Sequence, residues 1–219
     1  MTSTSASASS TGARRLVAVS AGLSQPSSTR LLVDRLAAAT EAALRAGGLE
    51  PATEVVEVRD VATDLTNNLM AGFPSERLQG VLDTVLGADG LIAVSPTFNA
   101  SYSGLFKLFF DAIDHRALAG MPVLIGATGG TARHSLVLDH ALRPLFTYLG
   151  ALVLPTGVFA AAEDWGEGSM PADSDLASRI ERAGGELARA MAAGERRAPP
   201  DPFEDPTPFE ELLRGSSSG

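Results

Sequence analysis

The sequence predicts a doubly wound α/β fold: a parallel sheet of five strands with helices on both faces. Three observations lead there. Short, continuous apolar runs recur along the chain, segments of helical length separate them, and glycines stand near several of the helix ends. Strands that read as unbroken apolar runs are buried on both sides, and parallel neighbours need a crossover helix between them. With five strands the arrangement points to the flavodoxin-like order 2-1-3-4-5.

The strands are expected at "RLVAVSA" (residues 15–21), "TEVVEV" (53–58), "GLIAVS" (90–95), "PVLIGAT" (122–128) and "LVLPTGVFA" (152–160). All are short and rich in β-branched residues or Leu. Helical spacing of apolar residues marks residues 29–48, 75–88, 104–118, 134–151 and 174–194. Pro144 falls inside the fourth of these and must bend or interrupt it. Residues 104–113 are apolar almost all round, so that helix is either fully buried or pressed against another subunit. The organisation expected is a low-complexity N-terminal tail over 1–13, one domain over 14–194, and a Pro-rich acidic C-terminal tail over 195–219. Phe203, Phe209, Leu212 and Leu213 recur in that last segment, which reads as a docking segment or as a solvated end.

Composition narrows the function. A chain of 219 residues, 45% apolar and 20% charged, is long enough for one sizeable core. Its formal charge of −9 opposes attraction to phosphate backbones or anionic lipid, so neither nucleic acid nor a membrane is an expected partner. The absence of Cys removes disulfides, thiolate metal sites and cysteine nucleophiles, and fits a reducing compartment. No run approaches the ~18–20 apolar residues of a membrane span, and the opening "MTSTSASASSTGA" lacks the apolar core of a secretory signal; a cytoplasmic protein is expected.

In such a sheet, ligands collect at the carboxyl ends of the strands, near the point where the strand order reverses. The first strand runs into "AGLSQPSSTRLL", where Gly22 permits a tight turn and Ser24, Ser27, Ser28 and Thr29 place hydroxyls at the start of a helix. A phosphate suits that position, because the helix offers free amides and the positive end of its dipole. An ordinary N-cap would use one of the same hydroxyls. The third strand runs into "SPTFNASYSGLFKLFFD", small polar and amide residues around one aromatic ring. The fourth runs into "GATGGTARHS", whose paired glycines bare backbone N–H groups. Three loops meeting at one place, one for phosphate and two lining a planar amide-rich pocket, suit a mononucleotide with a flat ring. Neither G-x-x-x-x-G-K-[ST] nor G-x-G-x-x-G follows the first strand, which argues against an ATP site or a dinucleotide fingerprint there.

Together, "GLSQPSSTRLL", "SPTFNASYSGLFKLFFD" and "GATGGTARHSLVLDHALRPLF" resemble the NADPH-dependent FMN reductase family, in order and across residues 14–194. The likeness is nearest to members that supply reduced flavin to two-component, luciferase-like monooxygenases. The resemblance implies that Ser24, Ser27, Ser28 and Thr29 hold the FMN phosphate. It implies that Pro96, Thr97, Phe98, Asn99 and Ser101 line the isoalloxazine and ribityl chain, and that Thr128, Gly129 and Gly130 meet the pyrimidine edge. The implied activity is hydride transfer from NADPH or NADH to N5 of FMN, with no side chain required as acid or base and the amides of residues 128–131 facing the charge that develops near N1. A homodimer or homotetramer and a transient flavin-dependent monooxygenase partner are implied as well. Ser24 departs from the pattern, standing where many relatives carry a basic residue.

Other readings of these residues are weaker. Phe98 either covers a ring face or simply packs beside the strand end. Lys107 reads as a solvated or salt-bridged helix residue, and Trp165, in "EDWGEGSMP", as a surface anchor in preference to a site cover. His134, Ser135, Asp139 and His140 share one helix without all facing one way, no G-x-S-x-G elbow is present, and paired metal-ligand spacing is missing. The alternatives in function are a quinone or azo-dye reductase using bound FMN, and a flavodoxin-like electron carrier.

Overall fold

The computed structural model describes residues 12–165 and 174–194. The segment 195–219, residues 1–11 of the expected N-terminal tail and the loop after Trp165 lie outside the described residues, while Ala13, expected in that tail, already begins the first strand. Four strands run parallel in the order β2 (Glu50–Glu57), β1 (Ala13–Ser20), β3 (Gly90–Phe98) and β5 (Pro122–Gly129). Beside β5 lie β6 (Leu152–Val153) and β7 (Val158–Ala161), both parallel to it. The principal order is the expected one, with two departures. The fifth strand is split, and a two-residue β4 (Ser101–Tyr102) pairs antiparallel with the end of β3.

The split has a local cause in Leu154, Pro155, Thr156 and Gly157. Pro155 has no N–H to give to a ladder, and its neighbours are committed elsewhere. Arg143 Nη1 and Nη2 donate to the carbonyls of Leu154 and Pro155, at 2.9 and 3.2 Å. Glu186 accepts from the Thr156 backbone N–H at 3.1 Å and from its hydroxyl at 2.7 Å. The strand steps out of the sheet and returns at Val158.

Alternate residues of each strand feed two apolar layers. Val17, Val19, Leu91, Ala93, Val123 and Ile125 face the layer formed with α2 (Ala62–Ala71), α3 (Glu76–Leu86), α4 (Gly104–Asp111) and α5 (Arg143–Tyr148). Leu16, Ala18, Ile92, Val94 and Leu124 face α1 (Ser28–Ala46) and α6 (Asp175–Ala193). That two-sided burial is what the unbroken apolar strands require. The apolar character of residues 104–113 is largely spent inside this chain. Phe106, Phe109 and Phe110 are buried, and Phe106 and Phe110 meet Phe146 edge-on at ring-centroid distances of 6.2 and 4.8 Å. Leu105 and Leu108 stay half-buried, and Lys107 pairs with Asp111 one turn on.

Elsewhere the elements differ from expectation for backbone reasons. Residues 134–151 are not one helix: a single turn over Ala132–His134 and a widened π segment over Leu138–Leu142 precede α5. Pro144 sits in the first turn of α5, where its missing N–H costs nothing, but it cannot join the ladder to residue 140 behind it. Helix α4 stops at Asp111, and Arg116 beyond it takes a left-handed φ of 67°. The sequence reading assigns no element to residues 62–71, which form α2; Leu65 is the one residue of that helix fully inside the core, so its apolar stripe is faint.

Helices α1 and α6 pack closely because Gly184 has no side chain. A Cβ there would lie 2.8 Å from both the Ala39 Cβ and the Thr40 backbone nitrogen. Gly184→Val is expected to push the helices apart and destabilise the fold by about 1–3 kcal/mol. Thermal unfolding followed by circular dichroism should show a midpoint several degrees lower, at about 2–4 °C per kcal/mol for a domain of this size.

Candidate functional site

One cavity of about 550 Å³ opens at the carboxyl ends of β1, β3 and β5. It is lined by Leu23, Ser24, Ser27, Ser28 and Thr29 from the first loop, by Pro96, Thr97 and Phe98 from the third strand, by Thr128, Gly129 and Gly130 from the fourth, and by Ala162 and Trp165 beyond β7. The volume falls in the range of small-molecule and cofactor sites.

The first wall is the β1–α1 connection, which contains a cis Gln25–Pro26 peptide bond. Ser27 is the N-cap of α1, and its hydroxyl accepts from the Arg30 backbone N–H at 3.2 Å. The amides of Ser28 and Thr29 belong to the first turn, where a helix supplies no acceptor of its own. They lie at the positive end of a 19-residue helix. A Cβ on Gly22 would stand 2.1 Å from Ser27 Oγ, so a larger residue there would displace the capping hydroxyl. Ser24 and Ser28 are exposed on the cavity wall, whereas Thr29 is buried and its hydroxyl shares a 2.9 Å hydrogen bond with that of Thr128.

A cation also reaches this loop from the end of β2, where the sequence pattern marks no site. Arg59, in the turn Val58–Val61 just past β2, donates from Nη1 to the Ser24 carbonyl at 3.1 Å. Its Nη2 lies 3.5 Å from Glu57 Oε1, and Arg30 Nη1 donates to the same oxygen at 2.8 Å. Side-chain hydrogen bonds to Asp34 first and Glu57 second raise the Arg30 pKa above its ordinary value, so it stays charged. Two guanidinium groups thus stand behind the serine loop although Ser24 itself is not basic. The signal was available: an Arg immediately follows the second predicted strand, at another carboxyl end.

The second wall is a hairpin. Thr97 pairs with Tyr102 and Phe98 with Ser101, leaving Asn99 and Ala100 as a two-residue turn with φ of 48° and 66°. Positive φ at both central positions is the primed geometry that matches strand twist, and Asn tolerates it better than most residues. Ser95 braces the base, its hydroxyl accepting from the Ser103 N–H at 2.9 Å, and Ser103 in turn caps α4. Phe98 stays 46% exposed on the cavity wall instead of packing into the core. Asn99 and Ser101 are not on that wall: Asn99 occupies the turn, and Ser101 lines a separate cavity beside α4 and α5.

The third wall is the end of β5. A Cβ on Gly129 would press on the Phe159 ring at 2.9 Å, whereas one on Gly130 would meet nothing within 4 Å. Gly129 is thus fixed by packing, and Gly130 leaves open space in the cavity. Trp165 completes this side, a position at odds with a simple surface anchor.

These walls fit a flavin mononucleotide. Two buried polar atoms of lining residues, Thr97 Oγ1 and Trp165 Nε1, have no hydrogen-bond partner among the described residues, so the wall holds polar capacity that the chain does not use. Free helix amides and exposed serines provide for an anion on one side, and an aromatic ring with bare glycines provides for a flat ring on the other.

The chain is similar to known FMN reductases. The family described as NADPH-dependent FMN reductase matches residues 14–166. An FMN reductase (NADPH) of Pseudomonas aeruginosa is 44% identical over 151 residues, covering 69% of this chain and 78% of that protein. The NADH-dependent FMN reductase SfnF of Pseudomonas putida is 38% identical over 168 residues, covering 77% and 88%. Among solved structures, an oxidoreductase from Corynebacterium diphtheriae superposes with a TM-score of 0.79 at 45% identity, covering 83% of this chain and 98% of that one. The apo form of the NADH:FMN oxidoreductase EMOB gives a TM-score of 0.68 at 26% identity, covering 88% and 99%. With this match running from β1 to the far wall of the cavity, the chain belongs to the NADPH-dependent FMN reductase family.

Proposed function

We propose that the chain is an NAD(P)H-dependent FMN reductase that binds FMN in the cavity above β1, β3 and β5. One observation carries the reading: three loops far apart in sequence bring an anion-binding helix start, an aromatic hairpin and a bare glycine pair to the same cavity. Bound FMN supplies the chemistry, accepting a hydride from a reduced nicotinamide.

The residues bind and orient. Ser24 and Ser28 offer hydroxyls, and the α1 amides offer N–H groups, to the phosphate. Ser27 holds the helix start in shape, and Thr29 ties it to Thr128. Pro96, Thr97 and Phe98 form one face for the ring, with Asn99 shaping the turn and Ser101 the hairpin pair behind it. Gly130, with open space where a side chain would stand, would let the backbone amides beside Thr128 and Gly129 approach the pyrimidine edge, where they would face developing negative charge without reorganising. No cationic side chain lines the cavity among the described residues, and the relatives' names divide between NADPH and NADH, so we assign NAD(P)H rather than either alone.

The reduced flavin is assigned to a partner monooxygenase, as the family resemblance implies, in a cytoplasmic setting that suits a chain without Cys. Among the described residues no helix is long and apolar enough to cross a membrane. A homodimer or homotetramer is also proposed. Leu136 and Tyr148, 60% and 70% exposed near α5, and the half-buried Leu105 and Leu108 of α4 leave apolar surface on one side of the sheet. Sedimentation at micromolar concentration should give a dimer or larger species; a stable monomer would remove the assignment.

The activity is tested by NADPH and NADH oxidation with and without added FMN, and with a quinone in its place. Oxidation that depends on FMN is expected. Turnover with quinone but not with free FMN would move the protein to the quinone reductases. For the phosphate loop, the double variant Ser24→Ala with Ser28→Ala avoids the structural hydroxyls of Ser27 and Thr29. Losing hydrogen bonds to a charged group should weaken FMN at least about tenfold while riboflavin is held as before. An equal loss for both flavins would place the phosphate elsewhere.

A further inference from the structure

We propose that Trp165 is a specificity-determining residue of the flavin site, its indole N–H donating a hydrogen bond to a polar atom of the bound ring system. The inference rests on the FMN reading above and adds a contact from an element outside the three loops. Strand β7 lies against β5 with Ala161 opposite Gly129, so the chain leaving β7 rises next to the glycine wall. It turns at once through Ala162–Trp165, and the turn is closed by Asp164 Oδ2, which accepts from the Ala161 backbone N–H at 2.7 Å. That turn brings Trp165 to the cavity wall, with its ring packed on the apolar layer under α1 and α6.

The indole nitrogen decides the role. An indole N–H is a donor only, and buried Trp donors nearly always find an acceptor. Here Nε1 is buried and has none among the described residues. Thr97 Oγ1, on a different wall of the same cavity, is in the same condition. Two buried, unused polar atoms around one cavity indicate a polar ligand that satisfies both. A flavin ring carries carbonyl oxygens and ring nitrogens suited to a donor on the glycine side, while its phosphate belongs to the serine side.

Trp165 is the sole tryptophan of the sequence, so it reports on itself. Adding FMN to the flavin-free protein should quench its fluorescence saturably, in step with binding measured by equilibrium dialysis. Trp165→Phe keeps a ring in the wall and removes the N–H. It should weaken FMN about five- to tenfold and riboflavin by the same factor, as expected for one lost hydrogen bond that leaves its acceptor unpaired. The thermal midpoint without flavin should fall by no more than the few degrees that a smaller ring costs in the packed layer, because the N–H satisfies nothing among the described residues of the empty protein. Four results would overturn the assignment: Trp165→Phe binding FMN within twofold of the native protein, a loss for FMN without one for riboflavin, a fall in the flavin-free midpoint that accounts for the loss, or unquenched tryptophan in protein that dialysis shows to be loaded. Failure of the native protein to bind either flavin would overturn the FMN reading together with this inference.

Discussion

A parallel sheet buried on both faces decides where this protein can do anything polar. Val17, Leu91 and Val123 face one apolar layer, while Leu16, Ile92 and Leu124 face the other, so the interior has no room for a site. Backbone groups are spent in the ladders except where strands end. Polar function is pushed to those ends, and the reversal of strand order at β1, with β2 on one side and β3 on the other, sets a crevice there. Every wall of the cavity is a strand end or the first turn after one. Details that look unrelated, such as the missing side chain of Gly184 and the Arg143 and Glu186 contacts that split the fifth strand, serve the same layout by keeping helices tight against a twisted sheet.

Charge is arranged against the overall balance. The chain carries a formal charge of −9, yet its proposed product chemistry begins by holding an anionic phosphate. Long-range attraction is therefore unavailable, and the work falls to short-range groups: helix amides, exposed hydroxyls and the dipole of α1. Behind them, Arg59 and Arg30 share Glu57, whose second carboxylate oxygen is buried without a partner among the described residues. Arg59 is tied to the loop backbone through Ser24, so its charge is held at a fixed place near the serines instead of sweeping through solvent.

Much of this was legible in the sequence, and the misses have physical reasons. Unbroken apolar runs revealed β1, β3 and β5, because strands buried on both faces can hardly be written otherwise. The serine cluster and the glycine pair stood out because close approach and free donors restrict the residue types allowed. The split of β6 from β7 was hidden, since it depends on Arg143 and Glu186, which are distant from it in sequence or on another helix. Helix α2 was hidden because one buried Leu65 does not make a stripe. The assignment of Phe106, Phe109 and Phe110 between this chain's own core and another subunit could not be read from periodicity, because both kinds of burial use the same residues. Asn99 stands out in the sequence for its amide, and its evident structural use is its tolerance of a left-handed backbone. Trp165 reads as a surface anchor in the sequence, because only the pairing of β7 with β5 shows what it stands beside.

The bond between Thr29 and Thr128 carries a further consequence. Each hydroxyl owns one hydrogen, and a single hydrogen lies between the two oxygens. When Thr29 donates, the hydrogen of Thr128 is free to turn toward the glycine side; when Thr128 donates, the hydrogen of Thr29 is free on the helix side. The pair is a two-position relay, and its direction follows whichever neighbour more strongly wants a donor. Which of the two donates is settled by two hydroxyl rotations between buried neighbours, with no movement of the backbone.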